Sequence, residues 1–102
     1  MALAVQLEQF MELAQGDPRL GPSHFSLYMA ILYLRWLRGG EDGVEVSARV
    51  LMPLAKIGSP GPYHRVLREL DTYGYIRYEP SYDARRPSMV WLEDEKNEVC
   101  CR

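Results

Sequence analysis

Between His24 and Arg38 the chain reads HFSLYMAILYLRWLR, a helix-forming run with apolar side chains on nearly every side. Phe25, Met29, Leu32 and Trp36 make one stripe at helical spacing, while Leu27, Ile31 and Leu34 point elsewhere. A helix apolar all round needs more than one neighbour to cover it, so it is either central or half core and half interface. The longest apolar stretch, Phe25 to Leu34, is interrupted by Ser26 and soon followed by Arg35 and Arg38. That falls far short of the roughly 20 apolar residues of a membrane span. With 102 residues, 47% hydrophobic and 25% charged, the chain is expected to fold as one small soluble domain around this helix.

What surrounds it can be read from the breaks. Leu3, Leu7, Phe10, Met11 and Ala14 recur at helical spacing, predicting a short amphipathic helix within residues 1–16. Gly16, Asp17, Pro18 and the Gly21-Pro22 pair end it, and Ser23 is placed to cap the apolar helix, which Gly39-Gly40 terminates. Glu41-Asp42-Gly43 predicts a turn and Val44-Glu45-Val46 one short edge strand. Ser47 then caps a third helix over 48–57 with Leu51, Leu54 and Ala55 inward, in which Pro53 predicts a kink or a late start. Gly58 closes that helix, and Ser59-Pro60 opens a fourth.

The fourth helix, from Pro60 to about Tyr73, divides cleanly. Tyr63, Val66, Leu67, Leu70 and Tyr73 fall within one arc, and Gly61, Arg65, Arg68 and Thr72 on the other, with His64 at its margin. Gly74 is a natural stop. Residues 75–79 and 89–92 read as two strands joined by a turn-rich loop that carries Tyr82, Arg85, Arg86 and Ser88. Tyr73, Tyr75, Tyr78 and Trp91 fit a core or a strand face better than a base-stacking platform.

Charge and chemistry narrow the function. The net charge of −2 comes from the end of the chain, where Glu93, Asp94, Glu95 and Glu98 outnumber Lys96 and Arg102 in a segment, 93–102, expected to be a mobile acidic tail. Lys56, Arg65, Arg68, Arg77, Arg85 and Arg86 outnumber Glu69, Asp71, Glu79 and Asp83 in the segment before it. A chain this short has little room for a deep catalytic cleft. No metalloprotease, phosphate-loop or nucleophile-elbow pattern accompanies His24 or His64, so no enzyme, metal or cofactor role is expected. Cys100 and Cys101 are adjacent and have no other cysteine to pair with. Without a basic leader or cleavage site, the chain is expected in the cytoplasm.

Helix, short strand, helix, tight turn, helix and a basic-tipped hairpin is the order of a winged helix-turn-helix, a mainly α (α+β) fold with an extra N-terminal helix here. LMPLAKIGSPGPYHRVLRELDTYGYIRY at 51–78 and PSHFSLYMAILYL at 22–34 resemble the small winged-helix proteins of Bacteroidetes plasmids and conjugative elements, over about residues 22–92. The resemblance implies a DNA-binding, transcription-regulator-like role. The chain departs from that family at Pro60-Gly61-Pro62, where polar or basic side chains are the rule.

The residues themselves support the same expectation. A helix fits the major groove, where arginine can bond a guanine edge in bidentate fashion or hold a phosphate. The expected DNA contacts are Lys56, Ser59, Gly61, His64, Arg65, Arg68 and Thr72, with Tyr82, Arg85, Arg86 and Ser88 on the backbone or minor groove. A homodimer is expected through Leu3, Leu7, Phe10 and Met11 of the first helix and Leu27, Ile31 and Leu34 of the second, although the first helix fits equally well as a lid on the chain's own core. The alternative is a protein-recognition module, an accessory subunit of a plasmid or transposon replication or transfer complex. The Pro-Gly-Pro entrance and near-neutral charge favour that alternative.

Overall fold

The computed structural model describes residues 3–39, 43–83 and 85–92. Four helices and three strands follow in the order α1 (Leu3–Ala14), α2 (Pro22–Arg38), β1 (Val44–Val46), α3 (Ala48–Ala55), α4 (Pro60–Thr72), β2 (Ile76–Glu79) and β3 (Ser88–Leu92). The chain is thus mixed α+β, with one antiparallel sheet in the order β1-β3-β2. Among the described residues no helix is long and apolar enough to cross a membrane. Glu41 and Asp42 of the expected turn, the acidic segment 93–102, and Cys100 with Cys101 lie outside the described residues.

The sheet follows from alternation. Val44 and Val46 face the core while Glu45 is exposed, and Val90 and Leu92 of β3 are buried with Ile76 of β2. Val44 pairs with Val90, and Val90 also pairs with Tyr78, so the last strand lies between the first two. On the outer face Arg77 sits opposite Trp91, its guanidinium carbon 4.1 Å from the ring centroid. Gly43, at φ +108°, lies under the same indole, and a Cβ there would come within 2.8 Å of it.

Helix α2 departs from the expected stripes. Leu27, Ile31 and Leu34, expected at a dimer seam, are buried in this chain's own core at 0%, 0% and 4% exposure, against α3, α4 and β1. They are unavailable to a partner. Leu32 joins them inside, whereas Met29 and Trp36 of the expected stripe are outside. Phe10 of α1 is corrected for the same reason: its ring stacks on Tyr28 at 3.8 Å and meets Phe25 and Tyr75 edge-on. Ala14 and, unexpectedly for a polar residue, Gln6 are buried beside it, Leu7 is half-buried, and Leu3 and Met11 are exposed.

The ends of the helices also correct the sequence reading. Helix α2 starts two residues earlier than a Ser23 cap allows: Gly21 is its N-cap and Pro22 its first residue. The Gly21 N–H donates to His24 Nδ1 at 3.0 Å, half of a capping box. Ser47 caps α3 as expected, accepting from the Val50 N–H at 3.3 Å, and Pro53 does not delay the start. Leu54 is exposed, because the inward stripe of α3 is Leu51 and Ala55, one turn apart. Helix α3 ends at Ala55 rather than near Gly58. Lys56 takes the left-handed conformation at φ 62°, its N–H reaching the Pro53 carbonyl while Ile57 N–H reaches Met52. Burial of Ile57 holds this stop in place and offsets a backbone cost of about 1–2 kcal/mol for a non-glycine residue. Gly74 makes the equivalent stop after α4 at φ 91° without that cost.

Candidate functional site

Helix α4 divides sharply into an apolar and a polar face. Tyr63, Val66, Leu67 and Leu70 are buried, which fixes the rotation of the helix and turns the remaining arc outward. On that arc Gly61, His64, Arg65, Arg68, Glu69 and Thr72 line one open groove, and Tyr73, expected on the core side, is only half-buried and closes its end. His64 rests edge-on against the Tyr63 ring at 4.9 Å. Ser59 is the N-cap by backbone conformation, but its side chain makes no cap hydrogen bond. Pro60 and Pro62 lack N–H groups, so the first turn has few free donors. Nothing lies within 4 Å of a Cβ built on Gly61, and its φ is not positive.

The two arginines of this face differ. Arg65 Nη1 lies 3.3 Å from Glu69 Oε1, an i,i+4 pair, so its charge is partly answered within the helix. Arg68 is exposed and has no side-chain partner among the described residues. Glu69 is itself held from the side. His24 Nδ1 accepts from the Gly21 N–H, which leaves Nε2 as the proton-bearing nitrogen, donating to Glu69 Oε1 at 2.8 Å. His24 is buried, so a carboxylate on the outer face is anchored by a side chain of α2.

A second tie flanks the far end of α4. Asp17 receives Arg19 Nε at 2.9 Å and Arg19 Nη2 at 2.7 Å, and the Tyr75 hydroxyl donates to Asp17 Oδ2 at 2.7 Å. The guanidinium of Arg19 lies 4.0 Å over the Tyr73 ring. The hydrogen bond from Arg19, followed by that from Tyr75, holds the Asp17 carboxyl well below the usual carboxylate range. Burial, and then the bond to Asp17, push the Tyr75 hydroxyl up to about 12. Burial does the same to Tyr63, also to about 12.

The hairpin loop is organised by Asp83. Its carboxylate accepts from the Arg85 N–H at 3.0 Å and its carbonyl from the Arg86 N–H at 3.0 Å, an Asx-type turn that throws both arginines outward. Arg85 Nε stands 3.7 Å from Asp83 Oδ1, with 90% of the arginine side chain exposed. Arg86 has no side-chain partner among the described residues and lines a groove with Tyr82, Ser47, Val50 and Arg38. Ser88 is less free than expected, because its Oγ accepts from the Ser81 N–H at 3.0 Å and clasps the loop. Lys56, Ser59 and Thr72 are exposed.

The structure therefore gathers the expected residues into two sets. Gly61, His64, Arg65, Arg68 and Thr72 share one groove, Tyr82, Arg86 and Ser88 another, and the two have no lining residue in common. Glu69, His24 and Arg38 were missing from the expected site. The Arg65–Glu69 spacing was a readable signal, whereas His24 and Glu69 are 45 positions apart and nothing local announces their contact. No group of three metal-ligating side chains occurs among the described residues. Set against models of known protein families, curated proteins and solved structures, the chain matches none.

Proposed function

We propose that the chain is a winged-helix DNA-binding protein, transcription-regulator-like in role, with α4 entering the major groove and the 80–88 hairpin loop following the backbone or minor groove. The element order α2-β1-α3-α4-β2-β3, with β1 paired to β3, supports the fold reading. The observation that carries the function is the outer arc of α4: an exposed Arg68, unpaired among the described residues, beside His64 and Arg65, on a helix whose opposite arc is in the core. A guanidinium in that position can form two bonds to a guanine edge or one strong bond to a phosphate. Arg86, and Arg85 beyond its contact with Asp83, supply the phosphate donors that position the helix.

Sequence readout under this proposal comes from the middle and far end of α4, because its first turn offers prolines and a glycine. Gly61 contributes closeness: with no Cβ and no neighbour, it lets backbone approach backbone.

Fluorescence anisotropy of a labelled duplex across a salt series tests the proposal. Binding is expected to weaken steeply with salt, with Arg85→Ala plus Arg86→Ala lowering the logarithmic slope by up to about two and Arg68→Ala by up to about one. Absence of duplex binding at low salt would overturn it.

A further inference from the structure

We propose that Glu69 is a specificity-determining residue of the α4 face: resting on the DNA-binding reading above, it acts with Arg65 to select a G·C pair in the major groove of duplex DNA. Glu69 lines the same groove as His64, Arg65, Arg68 and Thr72. A carboxylate among those cations opposes every phosphate alike, so on a surface that only held the backbone it would weaken binding. It strengthens binding only where a base offers it a proton.

The carboxylate is fixed and only half used. Two donors converge on one of its oxygens, His24 Nε2 at 2.8 Å and Arg65 Nη1 at 3.3 Å, both to Oε1. Oε2 has no hydrogen-bond partner among the described residues, and 31% of the side chain is exposed. A tie that merely joined α2 to α4 is complete at Oε1, so an acceptor remains on a side chain that lines the groove. His24 is 6% exposed, and the Gly21 N–H donating to its Nδ1 at 3.0 Å locks the ring. Glu69 therefore cannot swing away from an approaching ligand without giving up a hydrogen bond to a buried side chain, and His24 is its positioning residue.

Arg65 supplies the complementary arm. Its guanidinium carries more N–H groups than the one that meets Glu69, and 60% of its side chain is exposed. In the major groove a G·C pair shows the guanine acceptors N7 and O6 and then the cytosine N4 amine donor. Arginine donors beside a carboxylate acceptor match that order. An A·T pair puts the adenine N6 donor between two acceptors, so the arginine fork meets a donor, and the carboxylate beyond it meets thymine O4 or the methyl group. The pair thus works by exclusion as well as by attraction.

Selection of duplexes from a randomised pool by the full chain, followed by anisotropy on single-pair variants of the enriched duplex, tests this. The parent is expected to enrich a G·C pair with about tenfold discrimination over A·T at that position. Glu69→Gln keeps an acceptor for His24 Nε2–H, which preserves the fold, but its amide also donates and can pair with adenine. It should shift the preference at that one pair towards A·T and leave neighbouring positions unchanged. Glu69→Ala should tighten binding to duplexes lacking the pair about threefold by removing a like charge. His24→Phe, which fills the buried site without a donor, should blur the same pair while the salt slope stays unchanged. A base preference unaltered in Glu69→Gln, or a loss spread evenly over all duplexes, would overturn the proposal, since the carboxylate would then only join α2 to α4. A parent that binds duplex without base preference would also overturn it and would leave the DNA-binding reading standing. Absence of duplex binding at low salt would remove that reading itself, and this one with it.

Discussion

Helices α2 and α4 are packed into the same core and present opposite surfaces to solvent. Helix α4 has one apolar face and one polar face, and the boundary between them decides which arginines are free. Helix α2 is apolar beyond what the other described residues cover, so its exposed arc is aromatic and aliphatic. The difference teaches where sequence periodicity stops being informative. In α4 a single rotation satisfies the pattern. In α2 several rotations do, and only the positions of α3, α4 and β1 select among them.

Core truncations should separate the two faces of both helices by the widest margin. Ile31→Ala and Leu67→Ala, both at 0% exposure, are expected to cost about 2–5 kcal/mol in chemical denaturation. Trp36→Ala and Arg68→Ala should shift the midpoint by under about 1 kcal/mol in dilute protein. A loss at Trp36 as large as that at Ile31 would mean the outer arc of α2 is packed within the monomer.

The tie between the α1–α2 loop and the segment after α4 should appear in the pH dependence of stability. Asp17 is depressed in the folded state, so its contribution is present above its ordinary value of 3.8 and is lost as pH falls through the folded value. Asp17→Asn should be less stable at neutral pH and converge with the parent in acid. Tyr63 and Tyr75 are raised to about 12, so their contribution is present below their ordinary 10.0 and is lost as pH rises between the two. Thermal melts across both limbs check this, and an Asp17→Asn curve parallel to the parent in acid would refute it.

The smallest expected effect is the most pointed. Gly61→Ala lies in helix α4 with open space around the new methyl, so it should stabilise the fold by up to about 1 kcal/mol. It should weaken duplex binding at the same time. If affinity is unchanged, close backbone approach at Gly61 is refuted while the Arg68 contact is left standing.

Much of the architecture was legible because local signals agreed. Ser47 caps, Gly74 stops, Val44 and Val46 alternate with Glu45, and the α4 arcs separate at helical spacing. The misreadings have physical causes. Leu27, Ile31 and Leu34 are inward because tertiary packing chose among equivalent rotations of α2. Lys56 adopts a glycine-like conformation because burial of Ile57 enforces it, against local preference. At the candidate site the cations were legible as residue types, but their neutralisation was only partly so. Glu69 beside Arg65 follows from helical spacing, while its anchoring by His24 depends on how α2 and α4 cross.

The order β1-β3-β2 bears on how the molecule is made. Neither of the first two strands pairs with the other, so during synthesis both must wait, unpaired, for the segment Ser88–Leu92 to arrive between them. Until then a nascent chain can condense its helices but has no sheet, and Val44, Val46 and Ile76 lack the Val90 and Leu92 side chains that complete their packing. Closure of the hydrophobic interior is therefore a late event in the synthesis of residues 1–92, set by the arrival of its last strand.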